Sequence, residues 1–166
     1  MSGKVCCFTG HRPGAFPWQD DEKDPRFHVL LERMETAVDT ALQSGAVKFI
    51  CGNALGVDTW SAQIVLKKRK ENPVIQLEIA LPFFGHNSDS VACRKVQKEA
   101  NFVHVVSTEK SQTAAFFQRN KYMVDNSNII IAVYDDQKSK RSGTQKTLEM
   151  AKKKGLEIIQ VPWGDI

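Results

Sequence analysis

Short apolar runs that alternate with longer amphipathic segments constrain the fold of this chain more than any other feature of its sequence. The run Ile-Ile-Ile-Ala-Val at 129–133 is the clearest, because β-branched residues without polar alternation favour a strand buried on both faces. Runs of this kind predict strands over residues 5–9, 47–51, 74–81, 102–106, 128–134 and 156–161. Helices are predicted from Asp24-Pro25 to Gly45, through Trp60 to before Asn72, and over 91–100, 112–124 and 143–154. This alternation predicts one Rossmann-like α/β domain over residues 1–166, doubly wound and mainly parallel, with helices on both faces of the sheet.

The composition agrees with one folded domain. Of 166 residues, 42% are hydrophobic and 25% are charged, which is typical of a globular protein. The chain has no apolar run of the ~18 residues that a membrane span needs and no signal-peptide pattern, so we expect a cytoplasmic protein with no membrane partner. Its four cysteines lack metal-ligand spacing, so we expect no metal site and no cofactor.

The net charge is +4, and the positive charge is concentrated in two lysine-rich regions, residues 67–70 and 138–154. Such regions are usually solvated helix faces. The alternative is an electropositive surface that attracts polyanions, and the charge alone leaves both open.

Ligands of doubly wound sheets bind at the carboxyl ends of the strands, and three loops there are rich in glycine and polar residues. The first loop is Thr9-Gly10-His11-Arg12. Gly10 permits a close approach to the backbone, and the planar guanidinium of Arg12 suits a phosphate or a carboxylate. His11 could contact the ligand or transfer a proton, and a simple turn with an exposed arginine remains the alternative.

The second loop contains Gly52, Asn53, Gly56 and Asp58 and leads into a helix. Glycines at such a junction let the N–H groups of a helix N-terminus face an anion. Asp58 would repel a phosphate, so it suits a ribose hydroxyl, a base amine or a bridging cation, or it only interacts with the helix dipole. Trp60 is expected in the core rather than on a base.

The third loop follows the 128–134 strand and runs from Asp135 through Lys140-Arg141 to Ser142, Gly143 and Thr144. Ser-Gly-Thr at the start of a helix supplies hydroxyls and unpaired N–H groups, which suit a phosphate. A serine or threonine that only caps the helix is common, so the signal comes from three such loops at one sheet edge.

A polar cluster within the predicted 112–124 helix adds Arg119 and Asn120 as residues able to reach a ligand. The residues expected to hold phosphates are Gly10, Arg12, Gly52, Gly56, Ser142, Gly143 and Thr144. Asp58, Arg119 and Asn120 are expected to contact the ribose or base.

Four segments of the chain resemble the YpsA-like family: CCFTGHRP at 6–13, GNALGVDTWSA at 52–62, RNKYMVD at 119–125, and IAVYD at 131–135 with SGTQKT at 142–147. That family belongs to the SLOG superfamily, which groups the DNA-processing protein DprA with the LOG proteins. The resemblance implies a Rossmann-like sheet, a nucleotide or nucleotide-derived ligand, and a place in a bacterial cell or, for a phage-encoded chain, in the host cytoplasm. Relatives usually carry Gly-Gly-Thr where this chain has Ser142-Gly143-Thr144, and a tryptophan expected near residues 85–90 is missing.

The resemblance to LOG phosphoribohydrolases stops short of their catalytic glutamate. Aligning Gly143-Thr144 with their Pro-Gly-Gly-x-Gly-Thr-x-x-Glu motif places Thr147 at the glutamate position. Glu149 lies two residues further on, about 200° around a helix. Asp58 is then the remaining carboxylate that could act on a ribose or on water, and we assign no catalytic residue.

Three functional hypotheses follow. The first is a binding protein that senses or sequesters a nucleotide-derived small molecule, such as a signalling nucleotide in defence. The second is a hydrolase of a nucleotide N-glycosidic or phosphate bond. The third, ranked last, is a DprA-like nucleic-acid binder, because the interleaved aromatic residues of a single-strand platform are missing. Small Rossmann domains often complete their sites with a neighbour, so we also expect a homo-oligomer.

Overall fold

The computed structural model describes residues 3–139 and 142–166, and within them six strands form a single sheet. The strands are β1 (Lys4–Thr9), β2 (Ala46–Gly52), β3 (Gln76–Leu81), β4 (Phe102–Val105), β5 (Ile129–Val133) and β6 (Glu157–Val161). The α-helices are α1 (Pro25–Gln43), α2 (Val57–Glu71), α3 (Val91–Glu99), α4 (Gln112–Asp125) and α5 (Gly143–Lys154). The Lys140-Arg141 part of the predicted third loop lies outside the described residues.

The strand order is β4-β3-β2-β1-β5-β6, and each neighbouring pair of described strands is parallel. The chain moves outward from β1 to β4 and then returns to the other side of β1 to form β5. The switch point therefore lies between β1 and β5, where Cys6 is in register with Ile129. The predicted Rossmann-like α/β fold is confirmed, with a sheet that is parallel throughout rather than mainly parallel.

The neighbouring residues Cys6 and Cys7 belong to separate hydrophobic clusters, one on each face of the sheet. The Cys6 cluster includes residues of α1, α2 and α3. The Cys7 cluster includes Met123 of α4 and Ala151 of α5, so helices cover both faces as predicted. Trp60 packs against Phe27 in the first cluster, which places it in the core as expected.

The helix boundaries follow from their capping residues. α1 begins at Pro25, and the side chain of Asp24 accepts the N–H of Arg26. α5 begins after Ser142 and ends at Gly155, whose φ of 82° is the left-handed conformation common after a helix. No helix in residues 3–139 and 142–166 is both long and apolar enough to cross a membrane.

The predicted start of the third strand at Val74 is wrong by two residues. The N–H groups of Val74 and Ile75 donate to the side-chain and backbone oxygens of Asn72, which forms a turn. This local turn leaves Val74 67% exposed and delays β3 until Gln76.

Candidate functional site

A cavity of about 340 Å³ lies at the carboxyl ends of β1 and β2 and is closed by α4 and the start of α5. Its position next to the switch point is where doubly wound sheets bind ligands. The structure brings nine of the predicted site residues into its lining: Thr9, Gly10, His11, Arg12, Asp58, Arg119, Asn120, Gly143 and Thr144. Gly52, Asn53, Gly56, Asp135 and Ser142 lie outside the lining and shape the loops around it.

The first and second loops pack directly on each other. The His11 carbonyl accepts the N–H of Val57 at 3.1 Å. Gly56 has a φ of 90°, and a Cβ on it would lie 2.6 Å from the His11 oxygen. A Cβ on Gly10 would overlap the Val57 side chain. The close approaches that these two glycines permit are therefore between the loops themselves.

Asp58 and Arg119 form the charged floor of the cavity, on the backbone of Gly52. Asp58 Oδ2 accepts the Ala54 N–H at 3.2 Å, and Arg119 Nε donates to Asn120 Oδ1 at 2.8 Å. Burial raises the pKa of Asp58 and lowers the pKa of Arg119, and the attraction between the two charges opposes both shifts. Arg119 is 6% exposed, and its Nη1 has no hydrogen-bond partner among the described residues.

A second guanidinium, that of Arg12, lies on the outer side of the cavity. Arg12 is exposed, and its Cζ lies 5.7 Å from the centroid of the Phe116 ring. The Cζ of Arg119 lies 5.9 Å from the same centroid. The phenyl ring thus contacts both guanidinium groups by cation–π interaction.

His11 connects the first loop to the third. Its Nε2 lies 2.6 Å from Ser139 Oγ, and burial lowers the pKa of the imidazole. Ser139 is buried, and its Oγ accepts the Asp135 N–H at 3.0 Å. The Asp135 carboxylate accepts the N–H groups of the next turn, so it holds its own loop and does not reach the cavity.

The N-terminus of α5 meets the cavity through Gly143 and Thr144. Ser142 is the cap, and its Oγ accepts the Gln145 N–H at 3.1 Å. The N–H groups of the first helical turn have no acceptor within the helix, so this end attracts negative charge. Ser142 therefore acts through the helix rather than by lining the cavity.

Asn53 is buried and holds the segment after β3. Its Nδ2 donates to the His86 carbonyl at 2.8 Å, and its backbone carbonyl accepts from Asn87 Nδ2 at 2.7 Å. Its Oδ1 accepts from Gln97 Nε2 at 3.0 Å. Asn53 therefore positions this segment from outside the cavity lining.

Sequence reasoning missed Phe116, which lines the cavity, and His86, which lines a second cavity beside it. A signal for Phe116 was present, because Phe116, Arg119, Asn120 and Met123 have the i, i+3, i+4, i+7 spacing of one helix face. All four line the first cavity. Within residues 3–139 and 142–166, no cluster of three histidine, cysteine, aspartate or glutamate side chains has the arrangement of a metal site.

Comparisons with known proteins point to one family. A family model described as the YspA SLOG family matches residues 6–165. A UPF0398 protein of Staphylococcus haemolyticus is 29% identical over 116 residues, which cover 66% of this chain and 58% of that protein. A UPF0398 protein of Bacillus cereus is 26% identical over 162 residues, which cover 92% of this chain and 84% of that protein. Because the family match spans nearly the whole chain, this protein belongs to the YpsA family of SLOG proteins.

Proposed function

We propose that this protein binds a nucleotide or nucleotide-derived small molecule, as a sensor or a sequestering protein, and holds its phosphate in the first cavity. The observation that carries the proposal is the buried Nη1 of Arg119, which lacks a protein partner among the described residues. A buried guanidinium nitrogen without an acceptor is costly. A phosphate oxygen in the cavity would supply the missing acceptor.

The charges around the cavity favour an anion. Arg12 and Arg119 contribute two positive charges, and Asp58 contributes the one carboxylate among the described lining residues. The N-terminus of α5 adds the partial positive charge of its helix dipole. The cavity volume of about 340 Å³ also falls in the usual range of small-molecule sites.

The side chains near α5 support binding without chemistry. Thr147 is buried, and its Oγ1 donates to the Gly143 carbonyl at 3.0 Å. Glu149 is exposed, and its carboxylate accepts from Gln145 Nε2 at 3.3 Å. Neither residue supplies the carboxylate that N-glycosidic hydrolysis requires. The hydrolase hypothesis depends on Asp58 alone, which is buried beside Arg119.

The lysine-rich regions give little support to nucleic-acid binding. Lys68 pairs with both Glu35 and Asp39, and Lys67 also pairs with Glu35. Lys154 pairs with Asp125 at 2.7 Å. Carboxylates thus neutralise part of the charge that a polyanion would need.

The first test is to purify the protein, denature it and identify the released small molecules by mass spectrometry. The second is a thermal-shift screen of nucleoside mono-, di- and triphosphates and cyclic nucleotides, since a ligand at 100 times its Kd stabilises the fold by about 2.7 kcal/mol. Arg119→Gln should abolish the shift, whereas Arg26→Gln, which alters an exposed arginine on α1, should keep it. An unchanged shift in Arg119→Gln, or no released molecule and no shift from any nucleotide, would overturn the proposal.

A further inference from the structure

A second cavity of about 360 Å³ adjoins the first cavity, in which we place the phosphate. Arg12 and Phe116 line both cavities, so the two spaces share one wall. The remaining lining of the second cavity comes largely from the segment after β3, including Phe83, His86 and Asn87. A ligand anchored at Arg12 would therefore have a second space within reach.

The second cavity has aromatic walls. The ring centroids of Phe83 and His86 lie 5.1 Å apart, and those of His86 and Phe116 lie 5.5 Å apart. Both pairs meet edge to face, with interplanar angles of 77° and 74°. The rings of Phe83, His86 and Phe116 thus give this cavity surfaces against which a planar ring can pack.

His86 adds a fixed polar group to these walls. Its Nδ1 lies 3.3 Å from Asn53 Nδ2, which can only donate, so Nδ1 accepts and the ring hydrogen is on Nε2. Gln97 fixes the orientation of the Asn53 amide by donating to its Oδ1. Burial and the charges of Arg119 and Arg12 lower the pKa of His86 to about 4, so the imidazole is a neutral donor at physiological pH. A heteroaromatic ring with nitrogen or carbonyl acceptors complements such a group.

We propose that the second cavity binds the base of the ligand, so that the protein recognises nucleotides with their base attached rather than sugar phosphates or phosphate alone. This inference rests on the proposed function, because it takes the phosphate to lie at Arg12 and Arg119. In a nucleotide the ribose lies between the base and the phosphate. A nucleotide that extends past the shared wall of Arg12 and Phe116 would therefore place its phosphate in the first cavity and its base in the second. Phe83 and His86 are then the residues that determine specificity for the base.

The test compares ribose 5-phosphate with AMP, GMP, CMP and UMP by calorimetric titration. At least one nucleotide should bind about 5- to 100-fold more tightly than ribose 5-phosphate, the range expected for stacking of one base. Phe83→Ala should remove most of that advantage and leave the Kd of ribose 5-phosphate unchanged. Phe84→Ala is the matched control, because Phe84 is the adjacent phenylalanine, is 89% exposed and lies outside both linings.

The outcomes separate this inference from the proposed function. If ribose 5-phosphate binds as tightly as every nucleotide, or if Phe83→Ala weakens all probes equally, the base site is overturned and the phosphate site stands. If none of these probes binds, the base site is overturned, and the wider thermal-shift screen of di-, tri- and cyclic nucleotides then decides the proposed function separately. His86→Leu provides a second variant if Phe83→Ala does not fold, and it should weaken nucleotides alone.

Discussion

Asp58 and Arg119 converge on the backbone of Gly52, at the carboxyl end of β2. A Cβ on Gly52 would overlap Asp58 Oδ2 and would lie 2.7 Å from Arg119 Nη1. Asp58 belongs to the first turn of α2 and Arg119 belongs to α4, and these helices lie on opposite faces of the sheet. The absence of a side chain at Gly52 therefore allows Asp58 and Arg119 to meet at the edge of the sheet. The cavity floor therefore depends on a residue without a side chain.

Gly52→Ala should destabilise the fold and abolish ligand binding. The added methyl group has no room unless Asp58 and Arg119 move, and overpacking of this kind costs about 1–3 kcal/mol. Urea unfolding would measure the loss of stability, and calorimetry would measure the loss of binding. Gly14→Ala is the control, because a Cβ there meets nothing within 4 Å, and we expect it to change stability by less than about 0.5 kcal/mol. A Gly52→Ala variant as stable as Gly14→Ala would contradict this packing.

The stability of the Asp58→Asn variant relative to the wild type should increase as the pH rises. Burial raises the pKa of Asp58, so the folded protein holds this proton to a higher pH than the unfolded chain does. Ionisation of Asp58 therefore lowers stability between its ordinary pKa and its raised one, and asparagine does not ionise. The measurement is the difference in free energy of unfolding between variant and wild type across that pH range. A difference that does not change with pH, or one that favours the wild type increasingly as the pH rises, would contradict the prediction.

The same variant separates binding from hydrolysis. If the protein only binds its ligand, neither the wild type nor Asp58→Asn should show turnover on a nucleotide panel followed by chromatography. Turnover by the wild type that is lost in Asp58→Asn, with binding retained, would instead establish the hydrolase hypothesis.

His86 should make the protein less stable in acid. Burial and the nearby charges of Arg119 and Arg12 lower the pKa of His86 from its ordinary value of 6.5 to about 4, so the unfolded chain takes up this proton first as the pH falls. Stability is then lost progressively from about pH 6.5 down to about pH 4. His86→Leu should lose less stability than the wild type over this range, measured by urea unfolding. His28→Gln, which removes an exposed histidine on α1, should retain the wild-type dependence.

The sequence predicts the frame of the fold well, because burial on both faces leaves a continuous apolar signal. The strand at 129–133 and the helix bounded by Ser142 and Gly155 show this most clearly. The direction of loop side chains has no such signal. Asn53 and Asp135 look alike in sequence, as polar residues after strands, yet both turn away from the cavity to hold backbone.

The base-site residues were missed for a related reason. The segment after β3 has no periodicity, and its turn includes Asn87 with a φ of 53°. His86 becomes buried because Asn53, which lies 33 positions earlier, donates to its carbonyl. A long-range contact of this kind cannot be deduced from local spacing.

Asn53→Ala should destabilise the segment after β3, residues 83–90. The variant removes the amide that bonds His86 and Gln97 and leaves buried polar groups unpaired, at a cost of about 1–3 kcal/mol. Hydrogen exchange should rise over residues 83–90 while β1 and β5 stay protected. Asn126→Ala, which removes an exposed amide at the end of α4, is the control and should leave that segment unchanged. Unaltered exchange over 83–90 in Asn53→Ala would show that the segment is held by other contacts.

Arg12 and Arg119 should contribute unequally to ligand affinity, because one is exposed and the other is buried. A charge interaction in a buried site is screened less by water and salt than one at the surface. We expect Arg12→Gln to weaken nucleotide binding by about 5- to 20-fold, and Arg119→Gln by about 100-fold or more. The Arg12 contribution should also shrink between about 50 and 200 mM salt, whereas the Arg119 contribution should change little. Calorimetric titration of both variants at the two salt concentrations measures this difference. Equal losses with equal salt dependence would mean that the ligand meets both arginines at the surface and does not enter the cavity.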